Sequence, residues 1–250
     1  MRFTRPTRSG LPVTVVAIER GDCEELAARE HPYLVRLTHW VNAVSLTVMT
    51  MSGLQIFMAF PGFGAKIPES DLLYVPEILR LGGWLGGALQ WHFAFAWLFA
   101  LTGVVYVVYL VVSGHWRHVV LRPREIGGVW PMARHYFLFE PKPEPREAYN
   151  PLQKLAYTST IVFGVVAVAT GLLLAKPVQL GAIVALLGGF GAIRVYHFAA
   201  MAGFFAFVPG HLVMVALHGW SNFASMWTGW KKRPDYLDDR ATSPPPANAS

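Results

Sequence analysis

Nine histidines are present, and five of them lie in or at the ends of long apolar stretches: His39, His92, His197, His211 and His218. Imidazole is costly inside an apolar span and marks ligand, metal or proton chemistry there. His197 and His211 share one stretch, V-Y-H-F-A-A-M-A-G-F-F-A-F-V-P-G-H-L-V-M-V-A-L-H over residues 195–218. At about 100° per residue, the fourteen steps between them return to within ~40° of one helix face, ~21 Å further along the axis. Two imidazoles on one face at opposite depths suit two metal centres, one near each end of the helix. The single cysteine, Cys23, excludes an internal disulfide, a Cys-x-x-Cys-His haem attachment and a four-cysteine iron–sulfur site. A haem on this chain would therefore be held non-covalently by His or Met, and Cys23 itself reads as an ordinary thiol.

The elements that must position these histidines follow from composition. The chain has 250 residues, 54% hydrophobic and 14% charged, with mean hydropathy +0.38; soluble domains carry about 25% charged residues. This is the composition of an integral membrane protein. The net charge of +6 does not point to nucleic acid, because the basic residues flank apolar runs. Residues 1–30 contain only a short apolar patch, Val13 to Ile18, so no cleavable signal peptide is expected. Four segments, at roughly 36–59, 86–113, 152–175 and 194–219, are long enough to span a hydrocarbon layer that needs about 20 residues. A fifth apolar stretch, Leu180 to Ile193, is too short to cross. It reads either as an interfacial or re-entrant piece on the outer side or as a loop packed over the bundle mouth. Lys and Arg set the orientation: seventeen lie in 1–36, 114–154 and the residues after 230, against four (Lys66, Arg80, Lys176, Arg194) on the other side. The fold expected is all-α, an integral membrane four-helix bundle with both termini cytoplasmic. Residues 1–30 form a cytoplasmic extension, 31–230 the membrane domain, and 231–250 a low-complexity tail expected to be disordered.

Depth then pairs the histidines. The first span enters from the cytoplasm and places His39 near that surface. The second enters from outside and places His92 near the outer surface. The fourth also runs inward, with His197 near its outer end and His211 deeper. His39 pairs with His211 and His92 with His197, and each pair fills the two axial positions of a haem iron. Arg36 and Arg194 each precede a paired histidine by three residues and share its helix face. They read either as partners of haem propionates or as snorkelling cations. Gly53 and Gly103 either admit a porphyrin ring or serve helix packing. Pro209 is expected to kink the fourth span and aim His211. His218 has two readings, a quinone or propionate contact and an interfacial histidine. Asn150 and Gln153, at the start of the third span, read as quinone contacts or as a helix cap. His31, His115, His118 and His135 fall in polar segments and read as solvated loop residues. Bis-histidine iron has no open position, so such haems carry electrons and do not bind oxygen. A lipid quinone is the natural exchangeable partner.

The runs R-L-T-H-W-V-N-A (36–43), W-H-F-A-F-A-W (91–97), S-G-H-W-R (113–117), Y-N-P-L-Q-K-L-A-Y (149–157), H-F-A-A (197–200) and H-L-V-M-V (211–215) resemble the prokaryotic di-haem cytochrome b family. Its members are the membrane subunits of respiratory [NiFe]-hydrogenases, formate dehydrogenases, thiosulfate reductases and related molybdoenzymes. The resemblance covers roughly residues 31–230. It implies a four-helix bundle, two b haems on His39, His92, His197 and His211, a quinone site on the cytoplasmic side that includes Asn150, and a catalytic partner on the outer side. The compact outer loops look most like the branch whose partner is a sulfite-oxidase-type molybdopterin enzyme. Localisation in the bacterial inner membrane follows from the same resemblance. The expected function is electron transfer between a periplasmic oxidoreductase, of molybdopterin or [NiFe]-hydrogenase type, and the quinone pool. Two other readings stay open. One is a stand-alone membrane oxidoreductase such as a superoxide:quinone oxidoreductase, with quinone chemistry on this chain. The other is a haem-free bundle.

Overall fold

The computed structural model describes residues 2–6, 12–20, 23–29, 31–59, 74–138, 150–217 and 219–232. Four long helices dominate: α1 (Tyr33–Ala59), α2 (Leu85–Val112), α5 (Pro151–Ala175) and α7 (Gly189–Leu217), each long and apolar enough to cross a membrane. Between them lie the short helices α3 (Trp116–Val119), α4 (Val129–Leu138) and α6 (Gly181–Leu186), and α8 (Gly219–Thr228) follows α7. The long helices contain 25 to 29 residues, or about 38–44 Å at ~1.5 Å per residue. That exceeds a hydrocarbon layer of ~30 Å. The membrane part is all-α, as expected.

The chain divides into two compact units, Met1–Arg36 with Trp116–Thr158 and Gly210–Ser250, and Leu37–His115 with Ser159–Pro209. In the second unit, parts of all four long helices pack with neighbours antiparallel. Ser52, late in α1, meets His92, early in α2, while Thr102, later in α2, donates to Asn42 Oδ1, early in α1, at 2.6 Å. Aromatic rings fill the interior: Phe57 lies 5.4 Å from Phe198, and Phe204 stands edge-on to both Phe99 and Phe163. Gly203 lets α7 approach α5 closely, since a Cβ there would lie 2.7 Å from the Phe163 ring. The outward faces remain apolar, with Trp97, Leu101 and Val108 on α2 all exposed. Such a face is stable against lipid and not against water.

The fifth apolar stretch is divided. Its first part forms α6, and Gly188 and Gly189, at φ 94° and 87°, break the chain where α7 begins. The fourth spanning helix therefore starts about a turn earlier than residue 194 and puts Arg194 inside the helix. Leu173, Val184 and Ile193 form one buried cluster, so α6 packs back onto the ends of α5 and α7.

In the first unit, strands β1 (Arg2–Pro6), β2 (Pro12–Arg20), β3 (Cys23–Arg29) and β4 (Trp230–Lys232) make a four-stranded antiparallel sheet in the order β1-β2-β3-β4. Ala27 opposes Lys232 and Arg29 opposes Trp230, so residues after the last helix are tied to the first thirty. This sheet was not foreseen from the sequence. The stretch 114–138 is not an open polar loop either: it folds into α3, a 3₁₀ turn over Pro123–Gly128, and α4. His115, His118 and His135 there, like His31, are half-buried and not fully solvated. Most of the tail expected to be disordered lies outside the described residues.

Candidate functional site

His92 stands in the second turn of α2 and His197 in the third turn of α7, and the second unit brings them together. Their ring centres are 6.2 Å apart and their planes are inclined at 64°. Each ring is held from behind by a different helix. His92 Nδ1 lies 3.1 Å from Ser52 Oγ and 3.1 Å from the Met49 carbonyl oxygen, both on α1. His197 Nδ1 lies 2.9 Å from Thr170 Oγ1 on α5, and the ring is also hydrogen-bonded to the backbone at Ala167.

These contacts fix the tautomers. A hydroxyl has one proton to donate. Ser52 Oγ donates it to the Val48 carbonyl at 2.7 Å, and Thr170 Oγ1 to the Val166 carbonyl at 2.6 Å. Each hydroxyl oxygen is then an acceptor toward its histidine, as a carbonyl must be. Both rings accordingly carry the proton on Nδ1 and leave Nε2 as a bare lone pair, the arrangement of a metal-ligating histidine whose other nitrogen is oriented by a neighbour.

The spacing suits one metal between the rings. A ligating imidazole nitrogen sits ~2 Å from its metal, with the ring centre ~1 Å behind it, so two rings on opposite sides have centres ~6 Å apart. Among the described residues no group of three or more His, Cys, Asp or Glu is placed to hold a bare ion. Two histidines at this spacing, each with Nδ1 engaged from behind, fit a haem iron, which they would hold between them. Glycines make room for the rings. A Cβ at Gly53 would lie 3.4 Å from His92 Cε1, and one at Gly171 would lie 3.2 Å from His197 Cε1. At Gly103 a Cβ would meet nothing within 4 Å.

The other expected residues have varied placements. His39, in the second turn of α1, stands edge-on to Trp40 at 5.1 Å. His211 lies in α7 two residues after Pro209, which the helix accommodates internally. Arg36 Nη1 donates to the Trp227 carbonyl near the end of α8, and its guanidinium lies over Tyr33 at 5.7 Å. Neither open reading of Arg36 named this helix-end contact. Asn150 and Gln153 form a reciprocal cap on α5: the Asn150 N–H donates to Gln153 Oε1 at 3.1 Å, and the Gln153 N–H donates to Asn150 Oδ1 at 2.9 Å. Of their two readings, the cap is the one seen. Asn150 is also hydrogen-bonded to Tyr136, whose phenol is pushed above its ordinary value, chiefly by burial. His218 lies outside the described residues.

Sequence reasoning missed Ser52, Thr170 and Gly171. Their signal was available: S-G at 52–53 and T-G at 170–171 recur in the two spans that supply no ligand at this level. It also missed Lys154, counted only as a flanking cation. The Lys154 side chain is 2% exposed, and its Nζ donates to Glu125 Oε1 at 2.8 Å. Burial works against the Glu125 carboxylate. The hydrogen bonds from Lys154 and the Arg122 backbone N–H, with the charges of both cations, nevertheless hold its carboxyl below its ordinary value.

The chain is similar to known proteins. A family model described as prokaryotic cytochrome b561 matches residues 30–229. The protein named "Putative protein-methionine-sulfoxide reductase subunit YedZ1" from Azospira oryzae is 37% identical over 187 residues, covering 75% of this chain and 90% of that protein. The "Probable Ni/Fe-hydrogenase B-type cytochrome subunit" of Rhodobacter capsulatus is 25% identical over 156 residues, covering 58% of this chain and 55% of its own length. With four membrane-length helices and a histidine pair suited to haem, the chain belongs to the prokaryotic cytochrome b561 family, a family of membrane cytochromes b.

Proposed function

We propose that this chain is the transmembrane electron-transfer subunit of a two-component oxidoreductase. Two bis-histidine b haems would carry electrons between the quinone pool and a catalytic partner on the outer side of the bacterial inner membrane. The observation that carries the reading is the His92–His197 pair, 6.2 Å between ring centres and both rings with a bare Nε2. Bound haem supplies one-electron chemistry through the ferric–ferrous couple of its iron. The residues of the chain do the rest. His92 and His197 hold the outer group, and Ser52 and Thr170 keep their protons on Nδ1. His39 and His211, paired by helix direction and depth, hold the inner one. Arg194 is the candidate for the outer propionates; Arg36 has its Nη1 engaged at Trp227 and keeps that role only through its remaining donors.

Both termini face the cytoplasm in this reading, on the Lys and Arg distribution. The quinone is an exchangeable substrate on that side. The cap uses Asn150 Oδ1 and Gln153 Oε1 and Asn150 also bonds Tyr136, so a quinone carbonyl would be met by the Gln153 amide NH₂ or by the second N–H of Asn150. The relative covered over 90% of its length is named as a reductase subunit, which supports a reductase as the partner and electron flow from quinol outward.

The test uses the purified, haem-loaded chain. After reduction with a limiting amount of dithionite, a short-chain quinone should reoxidise the haem, seen as loss of the reduced α band. A reduced α band that persists in excess quinone would contradict the quinone link. An affinity-tagged chain isolated from native membranes should bring a catalytic reductase with it. Full substrate turnover by the chain alone would contradict the subunit reading.

A further inference from the structure

We infer that Ser52–Gly53 and Thr170–Gly171 are matched positioning units that set the reduction potential of the haem held by His92 and His197, beyond merely leaving it room. The inference rests on the haem reading above. Its basis is a repeated local structure on two unrelated helices. In α1 the hydroxyl of residue 52 bonds the carbonyl four residues back and the Met49 carbonyl, three back, faces the same ring nitrogen. In α5 the hydroxyl of residue 170 bonds the carbonyl four back, and the backbone at Ala167, again three back, bonds the ring. In both the next residue is glycine, and in both a Cβ there would lie against Cε1 of the histidine, at 3.4 Å for Gly53 and 3.2 Å for Gly171. A serine or threonine inside a helix commonly bonds its own i−4 carbonyl and does nothing more. Here that bond has a consequence, because it turns the hydroxyl oxygen into an acceptor aimed at Nδ1. Ser52 is fully buried and Thr170 nearly so, so neither acceptor is diluted by water.

The chemistry gives a sign. Two acceptors on one Nδ1–H draw the proton away from the ring, and the ring gains imidazolate character. It becomes a stronger donor through Nε2 and favours the ferric over the ferrous state. With this on both histidines, an iron held by His92 and His197 would have a lower potential than plain imidazole would give. The Nδ1 contacts orient each ring, the glycines leave room at Cε1, and the planes cross at 64°. The low-spin ferric g maximum is sensitive to that angle.

The test is a redox titration with electron paramagnetic resonance on the haem-loaded full chain, comparing Ser52→Ala, Thr170→Val and the hydroxyl-retaining Ser52→Thr and Thr170→Ser. Expected for Ser52→Ala and Thr170→Val is a raised midpoint potential and a shifted g maximum for one haem only, with the other unmoved. The hydroxyl-retaining variants should stay near wild type. Should Ser52→Ala lose that haem, retention in Ser52→Thr supports the inference and loss in both overturns it. Unchanged potential and g maximum in both hydroxyl deletions also overturn it. His92→Ala separates the two levels: if it removes a haem while the hydroxyl deletions change nothing, only the positioning role fails. If His92→Ala keeps the full haem content, the haem reading itself fails.

Discussion

A histidine that binds metal through Nε2 must direct the proton on its other nitrogen somewhere, and in a bilayer there is no water to take it. Here helix carbonyls and two hydroxyls do so. The glycines beside those hydroxyls are part of the same fit, and their spacing grades the cost of filling them. Gly171→Ala brings a methyl to 3.2 Å from His197 and Gly53→Ala to 3.4 Å from His92. At 3.2 Å the ring must give way, and overpacking costs roughly 1–3 kcal/mol; 3.4 Å borders on ordinary contact. Gly171→Ala should therefore lower the melting temperature followed by haem absorbance more than Gly53→Ala, and Gly103→Ala should leave it unchanged. His92 and His197 were legible in the sequence because an imidazole stands out in an apolar run. Their supports were harder to read: the S-G and T-G pairs stand in the sequence, but a serine or threonine in a helix has an ordinary explanation, and only three-dimensional contact shows which ring it faces. Asn150 and Gln153 show the converse: a spacing of three at a helix start serves a cap as readily as a ligand.

At the scale of elements, the four spans could be read from length and hydropathy to within a few residues. The fourth began earlier than expected because charge at Arg194 does not end a helix, whereas two left-handed glycines do. The segment 114–138 and the first thirty residues were harder. Their order depends on contacts distant in sequence, such as Lys154 with Glu125 and β3 with β4. Removing the Glu125 carboxylate withdraws the counter-charge of a side chain 2% exposed. Loss of one partner of a buried pair costs roughly 3–5 kcal/mol. Glu125→Ala should destabilise in a detergent melt more than Lys154→Met, which leaves a less buried group bonded by the Arg122 N–H. The pH dependence has a definite sign. The Glu125 carboxyl is held below its ordinary value near 4.5, so its contribution is present above that value. It is lost as pH falls through the lowered one. In wild type, but not in Glu125→Ala, the acid limb of the melting curve should carry this loss. In α7, Pro209 withholds an N–H from the Phe205 carbonyl. Pro209→Ala should raise the melting temperature while shifting the spectrum of the His211 haem alone.

For the whole molecule, membrane class and helix count follow from composition, because apolar faces exposed on every long helix are stable only against lipid. Chain direction explains the observed pair: in an alternating bundle, a residue early in one helix lies level with one early in the helix two spans on, because both run the same way. His92 and His197 satisfy this and lie 6.2 Å apart between ring centres. His39 and His211 are the pair proposed for the second haem. The most direct measurement is haem per chain, by pyridine haemochrome assay, in paired histidine variants. Wild type should hold about two haems, and His92→Ala, His197→Ala and the double His92→Ala/His197→Ala about one each, since all three empty the same site. His39→Ala combined with His92→Ala should leave none. Loss of both haems from the His92→Ala/His197→Ala double variant, with one retained in the His39→Ala/His92→Ala variant, would contradict the pairing.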